Sequence, residues 1–260
     1  MKLSEQRVWV LGAGFLGSAL ARAAITAGSR VLSIDPTAAT ADVRGFGYDG
    51  AVLREACARM LPTVVFCCMA TRGGSAADYE RCYLHTVEQL RAVVPHAKLV
   101  FCSSTSAYGE TQGCRVTEQS PAAAKGERAA LLLRAEQAVL AAGGAVARLA
   151  ALYGEGRCEL LRRHAAGEPQ LPGAEDRFLN YVHVEDAAAA LLLLAHAPAG
   201  VYNVCGCTFT KAEVYERLER LTGMPRSPLS AEASCRGCSH MQVAADKMRA
   251  LGWAPRPFFE

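Results

Sequence analysis

Short apolar runs alternate with longer segments of helical spacing through the first half of the chain. Arg7–Leu11 (RVWVL) predicts a buried strand, followed by a glycine loop and a helix over Phe15–Ala27 that stops at Gly28. Arg30–Ile34 and Val64–Met69 predict two more strands, the second with six apolar residues in succession. Ala76–Val94 predicts a helix ending before Pro95, Leu99–Cys102 a strand, Glu127–Ala142 a helix closed by Gly143 and Gly144, and Val146–Leu149 a strand. Strands and helices of these lengths in alternation imply an α/β fold, a doubly wound parallel sheet covered by helices on both faces. Continuous apolar strands, rather than alternating ones, fit that burial.

From Gly154 the chain is richer in Gly, Pro and charge. Glu185–Ala195 predicts a helix, Val201–Val204 a short strand, and Lys211–Leu221 an amphipathic helix stopped at Gly223, with a loop over Pro225–Gly237. The expected organisation is a dinucleotide-binding core over 1–154. A smaller substrate-binding portion over 155–260 interleaves with the last strands and helix of that core.

Composition narrows the function classes. With 260 residues and 51% hydrophobic content, the chain is long and apolar enough for a sizeable core, which excludes a disordered chain. A net charge of +3 with no Lys/Arg block leaves no footprint for a nucleic-acid backbone. The longest uncharged stretch, Ala187–Thr210, has an apolar part, Ala187–Ala195, too short to span a bilayer. The N-terminus has no signal-peptide layout, so a cytoplasmic location with no membrane partner is expected. The 11 cysteines are odd in number and read as reduced thiols rather than a disulfide framework.

Gly12-Ala-Gly-Phe-Leu-Gly17 follows the first strand and opens the first helix. Gly12 permits the tight turn, Gly14 lets the backbone approach a pyrophosphate, and Gly17 lets helix and strand pack closely. The helix N-terminus supplies free N–H groups for phosphates. The second strand runs into Asp35, 18 residues after Gly17. A carboxylate there accepts hydrogen bonds from a ribose diol and repels a 2′-phosphate, so NAD is expected over NADP. Arg30, Arg44 and Thr37 keep NADP open as an alternative. These are the marks of a Rossmann-type site.

In these motifs the chain resembles the extended short-chain dehydrogenase/reductases of the NAD-dependent epimerase/dehydratase type. GAGFLG resembles the family fingerprint, which implies cofactor contacts from Gly12, Gly14, Phe15, Leu16 and Gly17. Phe46-Gly-Tyr-Asp49 is similar to the family segment whose Asp lies near the adenine. Val65-Phe-Cys-Cys-Met-Ala70 resembles its fourth strand, and Phe101-Cys-Ser-Ser-Thr-Ser-Ala-Tyr-Gly109 its "SSTSVYG" segment. Asp49, Ala70 and Ser103 are implied cofactor contacts. Arg148–Gly154, Asn180–Asp186, Gly200–Val204 and Leu251–Trp253 are similar to later family motifs.

The resemblance departs at the chemistry. The family mechanism uses a Ser or Thr, a Tyr and a Lys, and Ser104 matches the first. The Tyr-x-x-x-Lys pair that should follow is absent: no Tyr lies between Tyr108 and Tyr153, and Lys125 is the only Lys there. Spacing from Pro121 to Glu136 places Arg128 at the Tyr position and Leu132 at the Lys position. The chain therefore resembles an atypical branch. Ser104 and Tyr108 are the candidate catalytic residues, Tyr108 with packing as its competing role. Arg128 reads either as the cation beside Tyr108 or as a helix-surface residue. Arg72, Asn180 and Tyr181 are substrate candidates. His183 reads as structural, and Asp186 as the capping carboxylate of the next helix.

Cys205-Gly-Cys207 and Cys235-Arg-Gly-Cys238 are a loose zinc pattern, and no metal is expected. The helices over 76–94 and 127–142 resemble those through which family members dimerise, which leaves a homodimer open beside a monomer. The first functional expectation is an NAD(P)-dependent oxidoreductase acting on a small carbonyl, hydroxyl or imine carbon. One alternative is a nucleotide-sugar epimerase/dehydratase. Another is a non-catalytic dinucleotide-binding sensor or interaction protein.

Overall fold

Residues 6–71, 73–123, 126–230 and 239–258 are described by the computed structural model of the chain. Along it come β1 (Arg7–Leu11), α1 (Phe15–Thr26), β2 (Arg30–Asp35), β3 (Val43–Arg44), α2 (Gly50–Arg59) and β4 (Val64–Cys67). α3 (Ala76–Tyr79) passes through a π-helical stretch, Glu80–His85, into α4 (Thr86–Val93). β5 (Lys98–Ser104), a 3-10 turn (Thr105–Tyr108), β6 (Arg115–Val116), α5 (Glu127–Ala141) and β7 (Ala145–Leu149) follow. Then come β8 (Ala151–Tyr153), α6 (Glu159–Ala165), β9 (Phe178–His183), α7 (Val184–Leu194) and β10 (Gly200–Val204). β11 (Cys207–Thr210), α8 (Lys211–Thr222), β12 (Gln242–Val243) and α9 (Asp246–Arg249) complete the order.

The main sheet has the order β10-β7-β5-β4-β1-β2-β3, with every pairing parallel. This is the expected doubly wound α/β fold. Alternation along the strands divides the core. Val8, Val10, Phe66 and Val100 pack with residues of α1 and α7 on one face. Trp9, Leu11, Val65 and Phe101 pack with residues of α2, α4 and α5 on the other. The strand order reverses between β1 and β4, and the loops at their carboxyl ends diverge there, opening a crevice.

Beyond residue 154, β10 and α7 extend this sheet and its helical cover, while β9 and β11 join β8 in a second, three-stranded sheet. Tyr153, Leu179, Val214, Leu218 and Phe258 make a separate apolar cluster there. Among the described residues no helix is long and apolar enough to cross a membrane.

Three local expectations are corrected. The fourth strand ends at Cys67 rather than Met69, because the Cys68 N–H bonds the carbonyl of Leu11 (2.8 Å) and the backbone then passes beneath Gly12. The single helix over 76–94 contains the π-helical stretch, so its register shifts midway. The cap of α7 is His183, whose Nδ1 accepts the Glu185 N–H (3.2 Å), not Asp186. Asp186 stands in the first turn, and its carboxylate takes the backbone N–H and Nε of Arg256, each at 3.0 Å.

Candidate active site

The glycine loop is built by close approach. Gly12 has φ +90°, and a Cβ there would meet the backbone N of Met69 at 2.7 Å. A Cβ on Gly17 would lie 1.8 Å from the Gly12 carbonyl oxygen. Gly14 differs: nothing lies within 4 Å of where its Cβ would be. That open space sits before the N-terminus of α1, whose first turn has neither a side-chain cap nor an acidic residue. Its N–H groups are free to receive a phosphate, so the loop fits a dinucleotide.

Asp35 ends β2 and braces this loop. Its Oδ2 accepts the Ala13 N–H (2.9 Å), and its Oδ1 accepts from Thr37 N (2.8 Å), Ala38 N (2.7 Å) and Thr37 Oγ1 (3.2 Å). Burial raises its pKa, but these donors outweigh burial and hold the carboxyl below its ordinary value. Beside it, Phe46 and Tyr48 stack at 4.8 Å with 12° between their planes, and both line the crevice.

The crevice is one cleft of about 1110 Å³, larger than the ~300–1,000 Å³ of a drug-sized site. It runs from Asp35, Phe46 and Tyr48 past Gly12, Gly14, Phe15 and Leu16 to Ala70, Ser103 and Ser104. At that end Ser104 Oγ accepts the Ser106 N–H (3.1 Å) and the Ser106 hydroxyl (2.9 Å). Neither of these bonds uses its own hydroxyl hydrogen. Ser103 Oγ is committed to Glu136 (2.5 Å), which is buried and paired with Arg148 through Nε (3.1 Å) and Nη2 (2.6 Å).

Several candidates stand elsewhere. Tyr108 is 2% exposed, its hydroxyl donates to Asn203 Oδ1 (2.6 Å), and the Arg148 guanidinium lies 4.7 Å from its ring centroid. It does not line the cleft. Burial raises its pKa and outweighs the opposing effect of Arg148. This is the environment of a packing tyrosine, because the β5 carboxyl end turns its ring into the core. Asp49 likewise turns away, its carboxylate capping α2 through the Ala51 N–H (2.8 Å). Asn180 ties β9 to its neighbours, accepting from Thr208 Oγ1 (2.7 Å) and Val243 N (3.2 Å) and donating to the Met241 carbonyl (2.9 Å). Tyr181 stacks on Phe258 at 5.2 Å. Neither Asn180 nor Tyr181 lines the cleft. Arg72 lies outside the described residues.

Arg128 and Leu132 do line the cleft, one turn apart on α5. Arg128 Nη1 reaches the Gly74 carbonyl at 3.4 Å, its Cζ lies 5.8 Å from the Tyr79 ring centroid, and no carboxylate pairs with it among the described residues. Arg128 is exposed on α5, as the helix-surface reading has it, and its exposed side also borders the cleft, while Tyr108 lies beside Arg148. Residues that sequence reasoning missed include Tyr79, Cys82, Tyr83 and Thr86, spaced along one face of the α3–α4 helix and lining the cleft. Their apolar spacing signals a helix, but not which side of it meets a ligand.

Cys205 and Cys207 are held by local bonds, Cys205 Sγ donating to the Cys207 carbonyl (3.3 Å). Among the described residues no three His, Cys, Asp or Glu come together as a metal site. Cys235 and Cys238 lie outside the described residues.

Comparison with known proteins gives the family and agrees with the fold. The model of the NAD dependent epimerase/dehydratase family matches residues 8–205. Protein YeeZ of Escherichia coli (strain K12) is 30% identical over 240 residues, spanning 84% of this chain and 85% of the relative. UDP-glucose 4-epimerase of Thermus thermophilus, solved with NAD, is 25% identical with a TM-score of 0.81, covering 97% of this chain and 95% of the other. A dTDP-glucose 4,6-dehydratase from Bacillus anthracis, also in complex with NAD, has a TM-score of 0.82 at 21% identity, with 98% and 93% of the two chains covered. On its sequence match and its fold, the chain belongs to the NAD dependent epimerase/dehydratase family.

Proposed function

We propose that the chain is an NAD-dependent oxidoreductase acting on a small carbonyl, hydroxyl or imine carbon. The observation that carries this reading is the single cleft joining the glycine loop and Asp35 to Ser104. NAD, when bound, supplies a hydride acceptor, and in its reduced form a hydride donor. Gly14 and the N-terminus of α1 would hold its phosphates, and Asp35 its adenosine ribose. The negative charge of Asp35 disfavours a 2′-phosphate, so NADP is the weaker ligand. Phe46 and Tyr48 would flank the adenine in place of Asp49.

At the other end, Ser104 donates its free hydroxyl hydrogen to the substrate oxygen or nitrogen. The two bonds it accepts from Ser106 polarise that hydroxyl and strengthen the donation. Arg128 cannot act as acid or base, because a guanidinium stays charged. It stabilises negative charge developing on the substrate. Leu132, where the family carries its Lys, keeps this end apolar. An imine fits such a site well, since it needs less proton transfer than a ketone.

A second reading, a nucleotide-sugar epimerase or dehydratase, is supported by the substrates named for the solved neighbours, UDP-glucose 4-epimerase and dTDP-glucose 4,6-dehydratase. It asks more of a proton relay than Ser104 and Arg128 supply. A non-catalytic dinucleotide sensor is the third, and a homodimer through α4 and α5 is compatible with all three.

The test is calorimetric titration with NAD, NADH, NADP and NADPH, followed by NADH oxidation against carbonyl and imine panels and incubation with UDP-glucose and dTDP-glucose. NAD(H) is expected to bind at least tenfold (about 1.4 kcal/mol) more tightly than NADP(H). Ser104→Ala is expected to lower turnover by roughly 10²–10³ while leaving NAD affinity nearly intact. No binding of any nucleotide would overturn the reading. Sugar-nucleotide conversion without carbonyl or imine reduction would move it to the second class, and nucleotide binding without any turnover to the third.

A further inference from the structure

Four cysteines gather where β4 and β5 end: Cys67, Cys68, Cys82 and Cys102. They divide by face. Cys67 is 1% exposed and packs with Trp9, Leu11 and Phe101, the core beneath α2, α4 and α5. Cys82, on the π-helical stretch, packs against that same core. Cys68 and Cys102 pack against the opposite one, beneath α1 and α7. The parallel register pairs Cys67 with Phe101 on β4 and β5, so the next residue of each, Cys68 and Cys102, stand side by side. Their sulfurs are 3.6 Å apart, and both are half-buried and line the cleft.

We propose that Cys68 and Cys102 form an oxidation site, a dithiol on the cleft floor that a peroxide converts to a disulfide. Neighbouring strands lie ~4.8 Å apart, inside the ~4.4–6.8 Å Cα separation a disulfide requires. Closing 3.6 Å to the ~2.05 Å of an S–S bond takes side-chain rotation without separating the strands. The chemistry balances with peroxide as oxidant. The Cys68 sulfur attacks a peroxide oxygen, the O–O bond breaks, and one water leaves a sulfenic acid on Cys68. The Cys102 sulfur then displaces that hydroxyl as a second water, forming the S–S bond. Both thiol protons end in water, and two electrons pass to the peroxide. The hydrogen bond to Cys68 and burial hold the Cys102 thiol well above its ordinary pKa, which disfavours Cys102 as the sulfur that attacks the peroxide.

The position gives the site a consequence. The Cys68–Met69 backbone is the surface on which Gly12 rests, with a Gly12 Cβ only 2.8 Å from the Cys68 carbonyl carbon. Cys102 precedes Ser104 by two residues on β5. The disulfide therefore joins the support of the glycine loop to the strand that carries Ser104. A ligand lying between them would cover both sulfurs. That last step rests on the proposed dinucleotide site, whereas the disulfide itself does not.

The experiment treats the full chain with hydrogen peroxide, blocks remaining thiols, and maps peptides by mass spectrometry without reduction. A Cys68–Cys102 cross-link, two hydrogens lighter than the two peptides and abolished by dithiothreitol, is expected. It should be absent from Cys68→Ser and Cys102→Ser and retained in Cys82→Ser, each checked for folding by circular dichroism. With NAD at about ten times its dissociation constant, cross-linking should slow about tenfold, the factor by which uncovered protein falls. Oxidation that yields only sulfinic acid, or a disulfide between other cysteines, would overturn the proposal. A cross-link that forms at the same rate with and without bound NAD would keep the oxidation site and refute the placement of the dinucleotide over it.

Discussion

Removing Glu136 should strand a buried charge in the core. Glu136 is 2% exposed on α5 and faces Arg148, 5% exposed on β7. Its carboxylate accepts two bonds from Arg148 and one from Ser103, whose other neighbour on β5 is Ser104. Burial alone would lower the Arg148 pKa, but pairing with Glu136 outweighs it and raises it. Glu136→Ala leaves a buried guanidinium without a carboxylate, beside the Tyr108 ring 4.7 Å away. Breaking a buried pair from one side costs about 3–5 kcal/mol, because the surviving charge is stranded out of water. At about 2–4 °C per kcal/mol for a domain of this size, Tm should fall by roughly 6–20 °C. Urea unfolding followed by circular dichroism measures the loss as a lower midpoint at unchanged slope. Replacing both Glu136 and Arg148 by Met should recover most of it, since no charge then remains buried. A loss under about 1 kcal/mol for Glu136→Ala, or a double variant worse than the single, would refute the stranded-charge reasoning.

Three more outcomes follow from the same contacts. Tyr108→Phe strands the Asn203 oxygen and should cost about 1–3 kcal/mol in urea unfolding, with turnover nearly unchanged; a loss of turnover of roughly 10² or more would return Tyr108 to the proton relay. His183 is held below its ordinary pKa first by burial and then by the Arg256 charge, and its Nδ1 must be unprotonated to cap α7. Its contribution is therefore present above pH about 6.5 and lost as pH falls through the lower folded value. His183→Asn keeps a cap without a titrating ring, so its Tm should fall less than wild type between neutral and mildly acid pH; equal slopes would exclude His183 as the cause. Asp35→Ala should weaken NAD more than NADP, and equal loss by calorimetry would mean that Asp35 only braces the loop through Ala13.

By itself the sequence determined the fold class and the glycine-loop end of the cleft. Both are written in local spacing. The apolar runs of β1, β2 and β4 are continuous because parallel strands are covered on two faces. Gly17 is glycine because the Gly12 carbonyl occupies the space a Cβ would need, and Asp35 follows at the end of the next strand. Each of these is a relation among residues close in the chain.

The tertiary structure decided the chemical end, where the relations are long-range. Tyr108 is withdrawn from the cleft by Asn203, 95 residues away, through a bond between the 3-10 turn and β10. Cys68 meets Cys102 only because β4 and β5 are neighbours in that register. Asp186 looks like a helix cap until Arg256, 70 residues on, is folded against it. Arg128 is exposed, as its helix alone suggests, but helical periodicity does not say that this exposed side borders the cleft. Sheet order and register supply that information, and they exist only once the strands have assembled.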